Sequence, residues 1–258
     1  MAAPLLRFLR LRRRMSILEQ LRLEEALLRH DSRNWCVLSA LGSPSTVVLG
    51  CNGKAEVLLA VDGVKRDSVP VVRRFTGGGT VVVGRGTAVA SLIANKADLA
   101  SVKPFPRDIM AWTGEVYASA FGRLGLRDFG LRENDYVVDD GMKVAGNAQT
   151  IIKHRWLHHT SFLFDFDDKD MDYLAMPKNR PAYRRDRPHT DFITRIRPRL
   201  ATGDIDTFVD GLDRELRHEL SSSGFTVEDD DGLADRVLED QGPSWTGNSR
   251  LLDNNSEF

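Results

Sequence analysis

The sequence predicts an α+β fold, a mixed β-sheet flanked by helices. Three features predict it. Short valine-rich or alternating apolar runs come in succession around glycine-bearing turns, amphipathic segments of helical period lie between and after them, and the two kinds do not alternate as they would in a doubly wound parallel sheet.

The first eighteen residues, MAAPLLRFLRLRRRMSIL, hold five arginines and no acidic residue. That composition fits residues 1–15 as a basic leader, either solvated or a mitochondrial targeting segment. Helical spacing would separate Leu5 and Leu9 from some of the arginines. A mitochondrial location is the expectation, with cytoplasm or plastid as alternatives. Ser16 followed by Glu19 makes a capping box, and Ile17, Leu18, Leu21 and Leu28 then recur at helical spacing, so the first helix starts there.

WCVLSAL and STVVLGC predict two strands around Gly42-Ser43-Pro44, and VPVVRRF and TVVVG two more around three glycines. From Arg107 a helical face carries Ile109, Trp112, Val116, Tyr117 and Ala120 and ends at Gly122. A β-meander follows in ENDYVV, MKVAGNAQTII and WLHHTSFLFDF, with Trp156, His158, Thr160, Phe162 and Phe164 on one face. Residues 176–199 are rich in Pro and Arg and predict a long loop. A last long helix runs from about Asp204 to Ser222 on Ile205, Phe208, Leu212 and Leu216. One folded domain is thus expected over 16–225, and the acidic then polar stretch 226–258 is expected to be a frayed tail.

The 258 residues carry a net charge of -1, which argues against a chain-wide attraction to nucleic acid, and no run is long and apolar enough to suggest a membrane span. Cys36 and Cys51 form no CxxC pattern, and the six histidines have no metal-ligand spacing with them. No metal site is expected from a protein motif.

VVRRFTGGGTVVVG poses the main question, because three successive glycines weaken an ordered element. Neither a Walker phosphate loop nor the GxGxxG spacing is present. The residues leave two readings open: a tight hairpin bend, or a loop whose backbone N–H groups face an anion while Arg73 or Arg74 adds charge. In GMKVAGNAQ, Lys143 is either a solvated strand residue or an ammonium given room by Ala145 and Gly146. His158 and His159 point to opposite faces of their strand, so at most one lines a site. The loop at 176–199 carries eight Lys or Arg residues and is either solvated or a patch for an acidic partner.

Taken in order, LEEALLR, PSTVVLG, RRFTGGGTVVVGRGT, and NDYVVDDGMKVAGNAQ followed by LHHTSFL resemble segments of the lipoate-protein ligase and octanoyltransferase superfamily, whose catalytic fold is shared with biotin-protein ligases. The resemblance spans about residues 16–200. It implies that lipoate is activated by ATP, with Mg2+, as lipoyl-AMP, and that a lysine of a carrier domain then attacks this mixed anhydride. Lys143 matches the family's catalytic lysine. The resemblance also implies an adenylate site at Arg73, Arg74, Thr76, Gly77, Gly78, Gly79, Thr80, Asn134 and Asp135, continued by Val144, Ala145, Gly146, Ala148 and His159. Arg74 is expected to meet the adenylate phosphate.

The partners implied are lipoyl carrier domains, namely E2 subunits of 2-oxoacid dehydrogenases and the H protein of glycine cleavage. The chain departs from the pattern where many ligases carry a His-Asp pair and an Asn, since Val83, Gly84 and Thr87 stand there. Too few residues follow the last helix for the accessory domain of longer ligases, which implies either a separate accessory subunit or a chain that performs one half of the reaction. Two alternatives accompany the ligase or lipoyltransferase reading: an octanoyltransferase working without ATP, and a catalytically idle protein that binds an acyl ligand or lipoyl domains.

Overall fold

A computed structural model of the chain describes residues 3–139, 141–242, 245–253 and 257. The alternating runs assemble into two mixed sheets. The larger contains β1 (Leu5–Met15), β2 (Asn34–Leu41), β6 (Thr87–Asn95), β7 (Gly130–Arg132), β8 (Asp135–Val138), β9 (Met142–Ile151), β10 (Arg155–Leu163) and β11 (Thr226–Asp229), in the order β11-β1-β2-β6-β10-β9-β8-β7. The smaller holds β3 (Thr46–Leu49), β4 (Val71–Arg73), β5 (Val81–Val83) and β12 (Arg250–Leu251), in the order β12-β4-β3-β5.

Every residue of β2 is buried because both faces of the large sheet are covered. Cys36, Leu38 and Ala40 join the core beneath α4 (Pro106–Arg123) and α6 (Ile205–Ser222), while Trp35, Val37 and Leu41 join the core beneath α1 (Ile17–His30) and α7 (Leu233–Asp240). Trp35, Trp156, Tyr117, Phe121 and Phe162 are fully buried. Burying each such side chain stabilises the fold by roughly 1.5–3 kcal/mol. The short helices α2 (Ala55–Leu58) and α3 (Val61–Arg66) close a third apolar cluster under the small sheet, and α5 (His189–Phe192) is one turn within the Pro- and Arg-rich segment.

The capping box forms as the sequence predicts: the Glu19 N–H donates to Ser16 Oγ, and the Ser16 N–H donates to Glu19 Oε2 at 2.8 Å. Such a cap contributes about 1 kcal/mol. The bounds of α4, the three-strand meander and α6, capped by Asp204, also follow the expectation.

Four local expectations are corrected. Residues 5–15 are a strand and not a helical leader: β1 pairs with both β2 and β11, burying Leu6 and Phe8, and its arginines meet acids of α6, Arg14 with Asp206 at 2.6 Å and Arg10 with Asp210 at 3.3 Å. The described part of 226–258 folds back as β11, α7 and β12, with Ser249 and Leu252 buried. The runs flanking Gly42-Ser43-Pro44 enter different sheets and make no hairpin. Nor do β4 and β5 pair with each other, since β3 lies between them, so residues 74–80 form an open loop and not a tight bend. Of the DDG turn in the meander, Asp140 lies outside the described residues.

One backbone irregularity positions the site. Tyr136 pairs with Ala145 but Val137 pairs with Lys143, so Val144 is an extra residue on β9 and makes a bulge. Strict alternation would send Lys143 to the same face as Ala145. The bulge instead leaves Val144 and Ala145 in the core and turns Lys143 toward the cavity that Gly146 lines.

His158 is fully buried on the other face. Gln149 Nε2 donates to its Nδ1 at 3.0 Å, which leaves the proton on Nε2, beside the Tyr136 hydroxyl at 2.9 Å and Thr160 Oγ1 at 3.0 Å. Burial, with His159 adding to it, pushes this imidazole down from 6.5 to about 3. The unfolded chain therefore takes up a proton near 6.5 that the folded chain refuses, so this contribution to stability is full above 6.5 and is lost as pH falls toward 3. The expected NMR result is a His158 ring resonance that does not titrate across pH 6.5; a midpoint near that value would show that the ring is solvated.

Candidate functional site

The loop from Arg74 to Thr80 is shaped by Arg74. Its guanidinium is buried, and it donates to Thr76 Oγ1 at 2.9 Å, to the carbonyls of Gly77 and Gly79 at 2.8 Å each, and to the Val48 carbonyl at 3.3 Å. Burial lowers it to about 10, which still leaves it charged at neutral pH. Arg73 is occupied as well, donating to the Gly53 carbonyl at 2.5 Å. Thus the two arginines expected to face an anion are spent on backbone carbonyls.

The three glycines have different reasons to be glycine. Gly78 sits at φ 101°, and a Cβ there would lie 2.9 Å from Arg74 Nη2. A Cβ on Gly77 or Gly79 would meet no protein atom within 4 Å, because both line a cavity of about 610 Å³. Gly78 shapes the loop, and its neighbours keep its surface clear.

The same cavity is lined by Thr80, Asp135, Lys143 and Gly146. A narrow pocket of about 70 Å³ adjoins it, walled by Ile17 of α1 and by residues of both sheets, and shares Gly79, Thr80, Lys143 and Gly146 with the wide part. Its remaining walls include Arg74, Ala148, His159 and the apolar Ile17, Val48 and Val83. A Cβ on Gly146 would lie 2.8 Å from Val81 and 2.9 Å from the Ser161 hydroxyl, so a side chain there would obstruct this junction. At the junction Thr80 Oγ1 is buried without a hydrogen-bond partner, which a ligand oxygen would supply.

Lys143 therefore borders both compartments. Its Nζ lies 2.5 Å from Asp135 Oδ1, and the second Asp135 oxygen accepts from the Tyr183 hydroxyl at 2.8 Å. Burial, with Asp135 beside it, pushes that phenol far above its ordinary value, so it stays protonated and donating. The main chain of the loop also reaches β9: Thr194 N donates to the Lys143 carbonyl at 2.8 Å. At the far wall of the narrow pocket, His159 Nδ1 faces the buried Glu24 carboxylate at 2.9 Å, and Glu24 also accepts from Ser91 Oγ at 2.6 Å and Gln20 Nε2 at 2.7 Å. This fixes the proton on Nδ1 and turns Nε2 to the pocket.

Of the expected site residues, Arg73, Thr76, Asn134, Val144 and Ala145 do not line either compartment. Thr76 supports Arg74, and Val144 and Ala145 belong to the core. Asn134 is exposed, its carbonyl accepting from Asn147 Nδ2 at 2.9 Å. Sequence reasoning missed Arg184 and His189, which line the wide cavity, and Tyr183, which reaches it through Asp135. Arg184 was assigned to an exposed basic patch, yet it is buried against the cavity, its guanidinium 4.6 Å from the Phe192 ring. Burial, then Arg184 and Lys143, push His189 down to about 4, so it is neutral at pH 7. Among the described residues no group of three or more His, Cys, Asp or Glu is placed to hold a metal ion.

The glycine geometry has a measurable consequence. Gly78→Ala is expected to lower unfolding free energy by about 1–3 kcal/mol, the usual range for a side chain forced into a sparsely populated backbone region. Gly77→Ala and Gly79→Ala should stay within about 0.5 kcal/mol. Urea denaturation separates them, and equal losses at all three positions would contradict the geometry.

The Lipoyl protein ligase A/B catalytic domain model matches residues 16–217. The inactive lipoate–protein ligase 2 of Plasmodium falciparum is 25% identical over 230 residues, 76% of this chain, and the lipoate-protein ligase LplJ of Bacillus subtilis is 29% identical over 212 residues, 81% of this chain. The match spans 59% of the length of each of these relatives. A structure of a bi-partite lipoate protein ligase and its E2 lipoyl domain from Thermoplasma acidophilum superposes with a TM-score of 0.71 at 18% identity, covering 95% of this chain and 94% of that one, so the fold is shared. The chain belongs to the lipoyl protein ligase A/B catalytic domain family.

Proposed function

We propose that the protein is an ATP-dependent lipoate-protein ligase acting through lipoyl-AMP. The observation that carries this reading is the position of Lys143 at the junction of a narrow pocket, walled in part by Ile17, Val48 and Val83, and a wide cavity. An acid whose hydrocarbon tail enters the narrow pocket brings its carboxylate to Lys143 and the Thr80 hydroxyl. The wide cavity then takes the nucleotide. Val83, where many ligases carry a polar residue, adds an apolar wall to the narrow pocket and suits such a tail.

In the first step a carboxylate oxygen bonds to the α-phosphorus of ATP as the bond to the pyrophosphate oxygen breaks. In the second, an amine nitrogen of the carrier lysine attacks the acyl carbon, the bond to the AMP oxygen breaks, and the amine loses its proton. Both steps build negative charge on oxygens beside Lys143, which Asp135 and the bulge hold in place. Mg2+, on this reading, enters on the phosphates, since the described residues supply no cage of their own. The acceptors proposed are lipoyl domains of E2 subunits and the H protein.

Lys143→Met should remain folded, because Asp135 keeps the Tyr183 hydroxyl as a partner. It should lose about 3–4 kcal/mol of transition-state stabilisation in both acid-dependent pyrophosphate–ATP exchange and acyl transfer. Retention of more than about a tenth of wild-type rates would remove Lys143 from the chemistry. Wild type that binds lipoate but exchanges with no acid would favour the idle-binding reading.

A cysteine-dependent transferase has little to work with. Cys36 is fully buried in the core, where burial pushes its thiol far above its ordinary value, and neither Cys36 nor Cys51 lines the wide or the narrow compartment. Mass spectrometry under denaturing conditions after incubation with an acyl donor is expected to show no acyl adduct. A thioester on either cysteine would replace the ligase by a transferase.

A further inference from the structure

The cavity is lined by a buried cation with one donor left unbonded. Arg184 is 4% exposed and lines the wide compartment but not the narrow one. Its Nε donates to the Arg187 carbonyl at 3.1 Å, whereas Nη2 is buried with no hydrogen-bond partner. Its neighbours are engaged: Arg187 donates to the Gly141 and Tyr183 carbonyls, Arg180 pairs with Asp186, and Arg195 pairs with Asp165 and Asp168. Asp135, the carboxylate whose field reaches Arg184, already binds Lys143 and Tyr183 through its two oxygens. A buried charged N–H left unbonded costs roughly 1–3 kcal/mol, and an incoming anionic oxygen would recover that cost.

We propose that Arg184 is the cation that holds the departing phosphates of ATP in this site. This rests on the ligase reading above. Lys143 borders both compartments and so stands where the acid carboxylate meets the α-phosphate, while Arg184 faces the wide compartment alone, beyond that point. When the carboxylate displaces pyrophosphate, the electron pair of the broken bond stays on the leaving group, and the added charge falls where a planar, pre-positioned guanidinium can take it. The ring of Phe192, 4.6 Å from the guanidinium, and the Arg187 carbonyl on Nε hold it in place without using its Nη2 protons. The depressed titration of His189, caused in part by Arg184 and Lys143, is the mark of the same positive field in the empty cavity.

The test compares wild type, Arg184→Gln and Arg184→Lys, each checked for folding by its thermal melt. Two half-reactions are read separately, acid-dependent pyrophosphate–ATP exchange and acyl transfer from preformed lipoyl-AMP to a lipoyl domain, and pyrophosphate binding is measured by calorimetry. Arg184→Gln is expected to weaken pyrophosphate binding and exchange by about tenfold or more. Transfer from the adenylate should stay close to wild type. Arg184→Lys, which keeps the charge but loses the fork, should recover part of the binding and serves if the glutamine variant does not fold. Unchanged pyrophosphate affinity in a folded variant, or equal loss of both half-reactions, overturns the assignment. Pyrophosphate binding that depends on Arg184 in a wild-type protein showing no exchange supports the anion site while overturning the ligase reading.

Discussion

The site depends first on the burial of one charged group. Arg74 is taken out of water, and the carbonyls of Val48, Gly77 and Gly79 together with the Thr76 hydroxyl replace its hydration. A buried guanidinium is tolerable only when its donors are filled, so the loop must turn its carbonyls inward. Turning them inward leaves its opposite, glycine surface facing the cavity. Gly50 sits behind, so close that a Cβ there would lie 2.3 Å from the Gly78 carbonyl oxygen. The described C-terminal segment contributes to the same support, because Ser249 Oγ accepts from the Phe75 N–H at 3.0 Å and Leu251 pairs with Val72.

Much of this was legible in sequence. Local rules suffice for α1, whose cap lies within four residues, and for the β8–β9–β10 meander, whose alternation is set by neighbouring strands. For Lys143 the small neighbours alone left a solvated strand residue and a ligand-facing ammonium both open, and only the ordered motifs of the resemblance singled it out. Two kinds of feature were not legible. The arginines of β1 look like a leader until the acids of α6 that neutralise them are brought alongside, which only the tertiary fold does. The acidic tail is likewise ordered by pairing β11 with β1 and by burying Ala234 and Val237 of α7. The bulge at Val144 also left no mark, since a strand read with a strict period of two assigns Lys143 to the face of Ala145.

Charge is divided between the two compartments in a way that composition hides. Behind the narrow pocket, Glu24 faces His159 and has its oxygens filled by Ser91 and Gln20, while Arg74 and Lys143 in the pocket wall are engaged by carbonyls and by Asp135. In the wide cavity the only described carboxylate among the lining residues is Asp135, and it is shared between Lys143 and a protonated Tyr183. Arg184 and His189 then stand without an opposing acid of their own. A ligand apolar at one end and anionic at the other matches that division. Arginine count alone is uninformative here: Arg74, adjacent to the glycines, has its guanidinium spent on carbonyls and a hydroxyl, and Arg73 has Nη1 on the Gly53 carbonyl, whereas Arg184, far along the chain, has Nη2 without a partner. Which cation can act on a ligand is decided by the accounting of hydrogen bonds in the folded chain, and that accounting depends on where β4, β9 and the 176–199 segment meet.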